Sequence, residues 1–168
     1  MRVLPAVIAV LLTALPAMAQ NLDIDSLAGV YKHKFQNGSV DGDKYVSEDI
    51  MEIVKLAPDR AYLRLALNFF NGHSCSFWGV VHVAGDSLVH RSNGRSGEGC
   101  ELSLRSRDGK LILDDKDGHC RAYGCGARGT FTGTSFPLTS RRDIRYLDRL
   151  KASSQFKEAL DEDAPAAR

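Results

Sequence analysis

Asp108-Gly109 is the sharpest punctuation in this chain, a pair suited to a type I′ turn and set between two segments of alternating apolar and polar residues. A two-residue hairpin loop there brings Leu104 opposite Leu113 and Ser106 opposite Leu111, and turns Arg105, Arg107 and Lys110 outward. Such a segment can only be half-buried antiparallel sheet, and the same test extends along the chain. Gly85-Asp86 joins 75–84 to 87–91 and pairs Val83 with Leu88. Pro58-Asp59 joins 49–57 to 60–70. A two-residue loop there puts Leu56 with Ala61, Val54 with Leu63 and Ile50 with Leu67 on the buried side, and Lys55, Arg64 and Asn68 on the other.

With a first strand at 27–35, carrying Tyr31, His33 and Phe35 on one face, a sixth at 100–107, a seventh at 110–115 and an eighth at 127–133, the count reaches eight in hairpin order. The fold expected is mainly β, an eight-stranded antiparallel up-and-down barrel over 27–138, because closure alone removes both sheet edges. Eight strands enclose either packed side chains or one small ligand. Ser140 to Asp143 resembles a capping box and opens a C-terminal helix at 139–158, with Ile144, Leu147 and Leu150 packing on the barrel. Its other face, Arg141, Arg142, Arg145 and Arg149, reads as a solvated basic surface. The acidic, Ala/Pro-rich tail 159–168 is expected to be disordered.

Near its start the chain carries Arg2, an apolar run at 3–17 and Ala17-Met18-Ala19, the three parts of a secretory signal peptide over 1–19, expected to be cleaved after Ala19. A short segment, 20–26, then leads into the barrel. The mature protein is expected in a bacterial periplasm or outside the cell, with no transmembrane segment after cleavage. Losing Arg2 takes the formal charge of +1 to about zero, which leaves no basic field for nucleic acid. Four cysteines in an exported chain predict disulfides: Cys75, Cys100, Cys120 and Cys125. A meander places all four at one barrel end. Strand five stops short there, so Cys75 is expected with Cys100, and Cys120 with Cys125 across the small glycine-rich loop.

His73 and His119 fall beside Cys75 and Cys120, and those four make an alternative zinc set in a zinc-binding periplasmic protein. Their spacing departs from paired zinc half-sites. Asn37, Ser39, Asp41, Gly42 and Glu48 occupy calcium-loop positions, but with strands on both sides they read as a polar turn. No cofactor is therefore expected. No G-x-S-x-G elbow is present, and disulfides leave no thiol nucleophile, so the chain reads as a non-enzyme. Glu52 and His90 break the apolar pattern on faces assigned inward, which makes them rim residues or polar contacts in a ligand cavity.

Gly29-Val-Tyr31 opening the first strand, the eight-strand meander and the helix after it are similar to the lipocalin/calycin layout, with Tyr31 where that layout has Trp. Asn71 to Cys75, Cys100-Glu-Leu and Cys120 to Gly129 resemble the cysteine signature of exported bacterial proteins with a β-domain, some of them like periplasmic lysozyme inhibitors. The likeness covers about 27–146 and implies a calycin-like barrel and a binding role. The leading expectation is a non-catalytic periplasmic binding module for a protein or envelope component, with lysozyme or another envelope hydrolase as target. Its contacts are expected from loops at the cysteine end: Arg128, Tyr123, Arg95 and Glu98. The alternative is a small-ligand carrier that uses the barrel interior with Glu52 and His90.

Overall fold

The computed structural model describes residues 22–92 and 98–164; the expected leader, Arg95 and residues 165–168 lie outside the described residues. Eight antiparallel strands follow one another in sequence order: β1 (Gly29–Gly38), β2 (Lys44–Ala57), β3 (Arg60–Asn68), β4 (Ser74–Ala84), β5 (Ser87–Arg91), β6 (Glu101–Arg107), β7 (Lys110–Asp115) and β8 (Ser135–Pro137). They form a nearly closed barrel. No β8–β1 ladder completes it. Instead Val30 and Arg142 exchange both backbone hydrogen bonds, at 2.8 and 2.9 Å, across the seam.

The two-residue loops set their registers as expected: Leu104 pairs with Leu113, Ser106 with Leu111, and Val83 with Leu88. Pro58-Asp59 also turns the chain as expected, between Ala57 and Arg60, but the register slips by one residue between Lys55 and Ala57. A bulge on one strand exchanges its two faces. Met51 and Ile53 therefore point into the barrel opposite Leu65 and Leu63, and the pairs Val54 with Leu63 and Ile50 with Leu67 do not form. Ile50, Glu52 and Val54 take the outer face.

The interior is filled by Tyr31, Met51, Ile53, Leu63, Leu65, Phe131 and Phe136, each at most 1% exposed, with Leu88, Leu102, Leu104, Leu111 and Leu113 around them. A short helix, α1 (Ile24–Leu27), closes the end where β1 begins. The Asp23 carboxylate accepts from the Asp25 N–H at its start, and Ile24 and Leu27 plug the core.

A second apolar cluster lies outside the barrel, where Val54, Tyr62 and Val80 meet Leu150, Phe156 and Ala159. The C-terminal segment departs from a single helix at 139–158. Because Arg142 pairs with Val30, the chain there is extended; α3 (Leu147–Ala152) begins later, and α4 (Ser154–Asp163) follows a break at Ser153, whose hydroxyl caps the Phe156 N–H. The expected basic face is partly used up: Arg141 donates to the Ala28 carbonyl, and Arg142 to the Thr139 and Arg141 carbonyls. Residues 159–163 are helical rather than disordered, because Ala159 is buried on the sheet and Leu160 packs beside it.

Candidate functional site

Loops that follow odd-numbered strands of a meander share one end, and this end carries both disulfides. Between β7 and β8 the chain makes a six-residue helix, α2 (His119–Gly124), instead of a simple loop. Asp115, at the end of β7, holds its start: the carboxylate accepts from Cys120 N at 3.0 Å and Arg121 N at 2.7 Å.

Cys120 lies near the start of α2, and Cys125 is its C-cap. Five helical residues amount to about 500° of rotation, so the two side chains leave on different sides. The pairings expected from the meander layout, Cys75 with Cys100 and Cys120 with Cys125, are therefore replaced. Cys125 binds Cys75 on β4, with Cα atoms 4.0 Å apart, and Cys120 binds Cys100 before β6, at 4.5 Å. In chain-entropy terms, loops of these lengths contribute about 4 and about 3 kcal/mol. The helix is a plug stapled on both flanks.

Residues 127–133, expected as the eighth strand, cross the barrel mouth without strand pairing. Two contacts impose this path. Arg121 donates to the Gly129 and Ala127 carbonyls at 2.7 and 2.8 Å, and Gly129 passes directly over the Cys75–Cys125 bridge. Phe131 then turns into the core, edge-on to Phe77.

Beside this plug, β1 and β2 run on past β3, whose ladder with β2 starts only at Ile50 and Ala66. The resulting ribbon, roughly 33–49, is tied to the β3–β4 connection by asparagines. Asn37 donates to Ser47 Oγ and the Phe69 carbonyl at 2.9 and 3.0 Å, and Asn68 to the Glu48 carbonyl at 2.9 Å. Asp49 accepts from Asn68 N at 2.7 Å; its burial raises the carboxyl above the ordinary range, and this bond opposes the rise. Lys32, 2.7 Å away, lowers the Glu48 carboxyl. With the backbone held by polar ties, apolar side chains are left facing solvent.

Among the described residues, Val40, Tyr45, Val46, Phe70 and Tyr123 are the exposed large hydrophobic ones, and all five sit at this end. Val46 is 66% exposed and Tyr123 64%. Phe70, Phe69 and Phe35 line a cleft of about 600 Å³ between the ribbon and the β3–β4 connection. Four of these five lay outside the sequence expectation. Their signal was Val40 inside a polar turn and Val46 among charged residues. Of the residues singled out from sequence, Tyr123, Arg128 and Glu98 are exposed at this same end.

The set His73, Cys75, His119 and Cys120 divides between two bridges. His73 lies beside Gly126 and His119 beside Gly99, while both sulfurs are held in disulfides and offer no thiolate. Among the described residues, no group of three or more His, Cys, Asp or Glu side chains is placed to hold a metal ion.

Glu52 and His90 do not share a cavity. Glu52 is fully buried, but on the outer face under α3. Arg64 donates to both its oxygens, Nη2 at 2.7 Å, and the Tyr146 hydroxyl donates to Oε1. Burial, reinforced by Glu52, pushes the Tyr146 phenol up to about 12, and the carboxylate holds the Arg64 guanidinium more firmly charged. His90 faces inward with Leu88, its ring edge-on to Phe77, and its Nδ1 donates to the Val80 carbonyl at 2.9 Å. Burial lowers its pKa.

No helix among the described residues is long and apolar enough to cross a membrane. No family model, curated protein or solved structure matches the chain.

Proposed function

We propose that the protein is an exported, non-catalytic binding module that presents its disulfide-bearing barrel end to a protein partner in the periplasm or outside the cell. The observation that carries this reading is the gathering of Val40, Tyr45, Val46, Phe70 and Tyr123 at one end. Exposed apolar side chains are ordinary when scattered, but grouped they mark interaction surfaces. Two disulfides on α2 and the asparagine ties of the ribbon hold these groups in place, so little ordering entropy opposes binding. Arg128 and Glu98 add polar contacts around the apolar centre. The filled interior favours a surface site over an internal one.

An envelope hydrolase of the lysozyme class is the first partner to test. The oxidised protein is immobilised, and binding of purified lysozymes and peptidoglycan hydrolases is measured by surface plasmon resonance. Val46→Ser with Phe70→Ser should weaken a real complex by tenfold or more while leaving the far-ultraviolet spectrum unchanged. Equal binding by this variant, or tips that partition into lipid vesicles and bind no hydrolase, would overturn the reading.

A further inference from the structure

The wall of the barrel is incomplete at one place. The β4–β5 ladder comprises only His82 with Val89, Val83 with Leu88 and Ala84 with Ser87, so from Ser76 to Val81 strand β4 has a strand neighbour on the β3 side alone. On the other side the Ser74 carbonyl accepts from Gly126 N at 2.8 Å and the Val80 carbonyl from His90 Nδ1 at 2.9 Å. Backbone groups alternate sides along an antiparallel strand, and the β3–β4 register is unbroken from Ser74 to His82. Phe77, Gly79 and Val81 therefore bond to β3, while Ser76, Trp78 and Val80 turn their N–H and C=O groups toward the gap. Helix α2 closes the gap at Ser76, where a Cβ on Gly124 would meet the Ser76 carbonyl oxygen at 2.6 Å. No described residue bonds the N–H or C=O of Trp78, or the N–H of Val80.

Two hollows border this open stretch of edge. One, of about 370 Å³, is lined by Trp78 and by Tyr123 of α2. The other, of about 230 Å³, is lined by Val80 and His90. His90 is 4% exposed, and because its Nδ1 donates, Nε2 of the neutral ring is an acceptor. That buried nitrogen has no hydrogen-bond partner. The ring thus takes up the Val80 carbonyl and presents an acceptor of its own beside it.

We propose that this open edge binds a short extended segment of a partner polypeptide, which adds to β4 as one more antiparallel strand. The Trp78 N–H, the Trp78 carbonyl and the Val80 N–H stand at strand spacing, and another extended backbone is the group that matches them. A residue opposite Trp78 exchanges both of its backbone bonds with it, and the residue two positions earlier accepts from the Val80 N–H. The N–H of that second residue is received by His90 Nε2 in place of the Val80 carbonyl. An anion would answer the two N–H groups but leave the Trp78 carbonyl and His90 Nε2 without donors. Trp78 and Tyr123 offer apolar contact to the side chains of the segment, and the hollows admit a few residues rather than a domain. This site goes beyond the proposed partner surface and uses neither Val46 nor Phe70.

Trp78 is the chain's single tryptophan, so its emission reports occupancy directly. The oxidised protein is titrated with a blocked tetrapeptide of alternating threonine and valine, and with the same peptide methylated on its backbone nitrogens. The expected result is a saturable change with the plain peptide and binding at least about tenfold weaker with the methylated one. Amide hydrogen exchange followed by nuclear magnetic resonance locates the complex. In the free protein the amides of Trp78 and Val80 should exchange faster than those of Phe77 and Gly79, and the plain peptide should slow them. Val46→Ser with Phe70→Ser should bind the peptide unchanged, so this site and the partner surface fail separately. Absence of a saturable change up to about 10 mM would overturn the proposal. So would equal binding of the methylated peptide, loss of binding in the Val46 and Phe70 variant, or Trp78 and Val80 amides already protected in the free protein.

Discussion

Gly129 packs against the sulfur of Cys75 with room for a hydrogen and nothing larger: a Cβ at Gly129 would lie 2.4 Å from Cys75 Sγ and 3.1 Å from Cys125 Cβ. Neither sulfur nor strand can retreat, because the bridge joins two fixed elements. Gly129→Ala is expected to cost about 1–3 kcal/mol, the usual penalty of overpacking. Gly126→Ala, whose nearest contact would be an ordinary 3.5 Å to His73, should stay within about 0.5 kcal/mol of the parent. Urea unfolding of the two oxidised variants checks the difference.

The pairing of the cysteines makes a covalent prediction. Proteolysis without reductant, followed by mass spectrometry, should recover peptides linking Cys75 to Cys125 and Cys100 to Cys120. Peptides linking Cys120 to Cys125 should be absent. Replacing Cys100 and Cys120 together by Ser should cost about 3 kcal/mol, and replacing Cys75 and Cys125 together about 4 kcal/mol, by the lengths of the loops released.

Glu52 and Arg64 form a largely desolvated pair whose carboxylate is also bound by Tyr146. Removing one charge strands the other, so Arg64→Met should destabilise by about 3–5 kcal/mol, while Arg64→Met with Glu52→Leu should recover much of that loss. Tyr146→Phe leaves one bond to a buried carboxylate unmade and should cost about 1–3 kcal/mol. A double-mutant cycle by chemical denaturation measures the coupling.

His90 gives the fold a pH dependence of definite sign. Its folded pKa is depressed by burial, so at mildly acidic pH the unfolded chain takes up a proton that the folded protein refuses. Stability from this group is fully present above about 6.5, the ordinary histidine value, and is lost as pH falls from there toward the lower folded pKa. The difference in unfolding free energy between pH 7.5 and pH 5.5 should shrink in His90→Gln. An unchanged pH profile would remove His90 as its source.

Much of the barrel was legible in the sequence where a turn alone sets the register. Asp108-Gly109 and Gly85-Asp86 did so, and the pairs Leu104 with Leu113 and Val83 with Leu88 followed. Pro58-Asp59 marked its turn equally well, but the bulge beside Leu56 has no signature of its own, since neither Lys55, Leu56 nor Ala57 requires an unusual backbone. That single slip moved Glu52 from the supposed cavity to the outer face. The disulfides were misassigned for a related reason: glycines at 118, 124 and 126 hide a helix of six residues, which α2 owes to the Asp115 carboxylate and its two staples. The apolar tips could be seen in the sequence only as residues. Their convergence depends on the ribbon outreaching β3, a matter of strand length rather than of composition.

The seam between Val30 and Arg142 has a bearing on how the molecule is made. The first strand to be synthesised finds its last partner only after residues 101–137 have formed their own hairpins and the chain has reached Arg142. Until then β1 exposes a row of unpaired backbone groups, ready to join another chain. A nascent or truncated product ending before Arg142 would hold most of the core and leave the start of β1 unclasped, so the C-terminal segment acts as a clasp that fixes that edge at Val30.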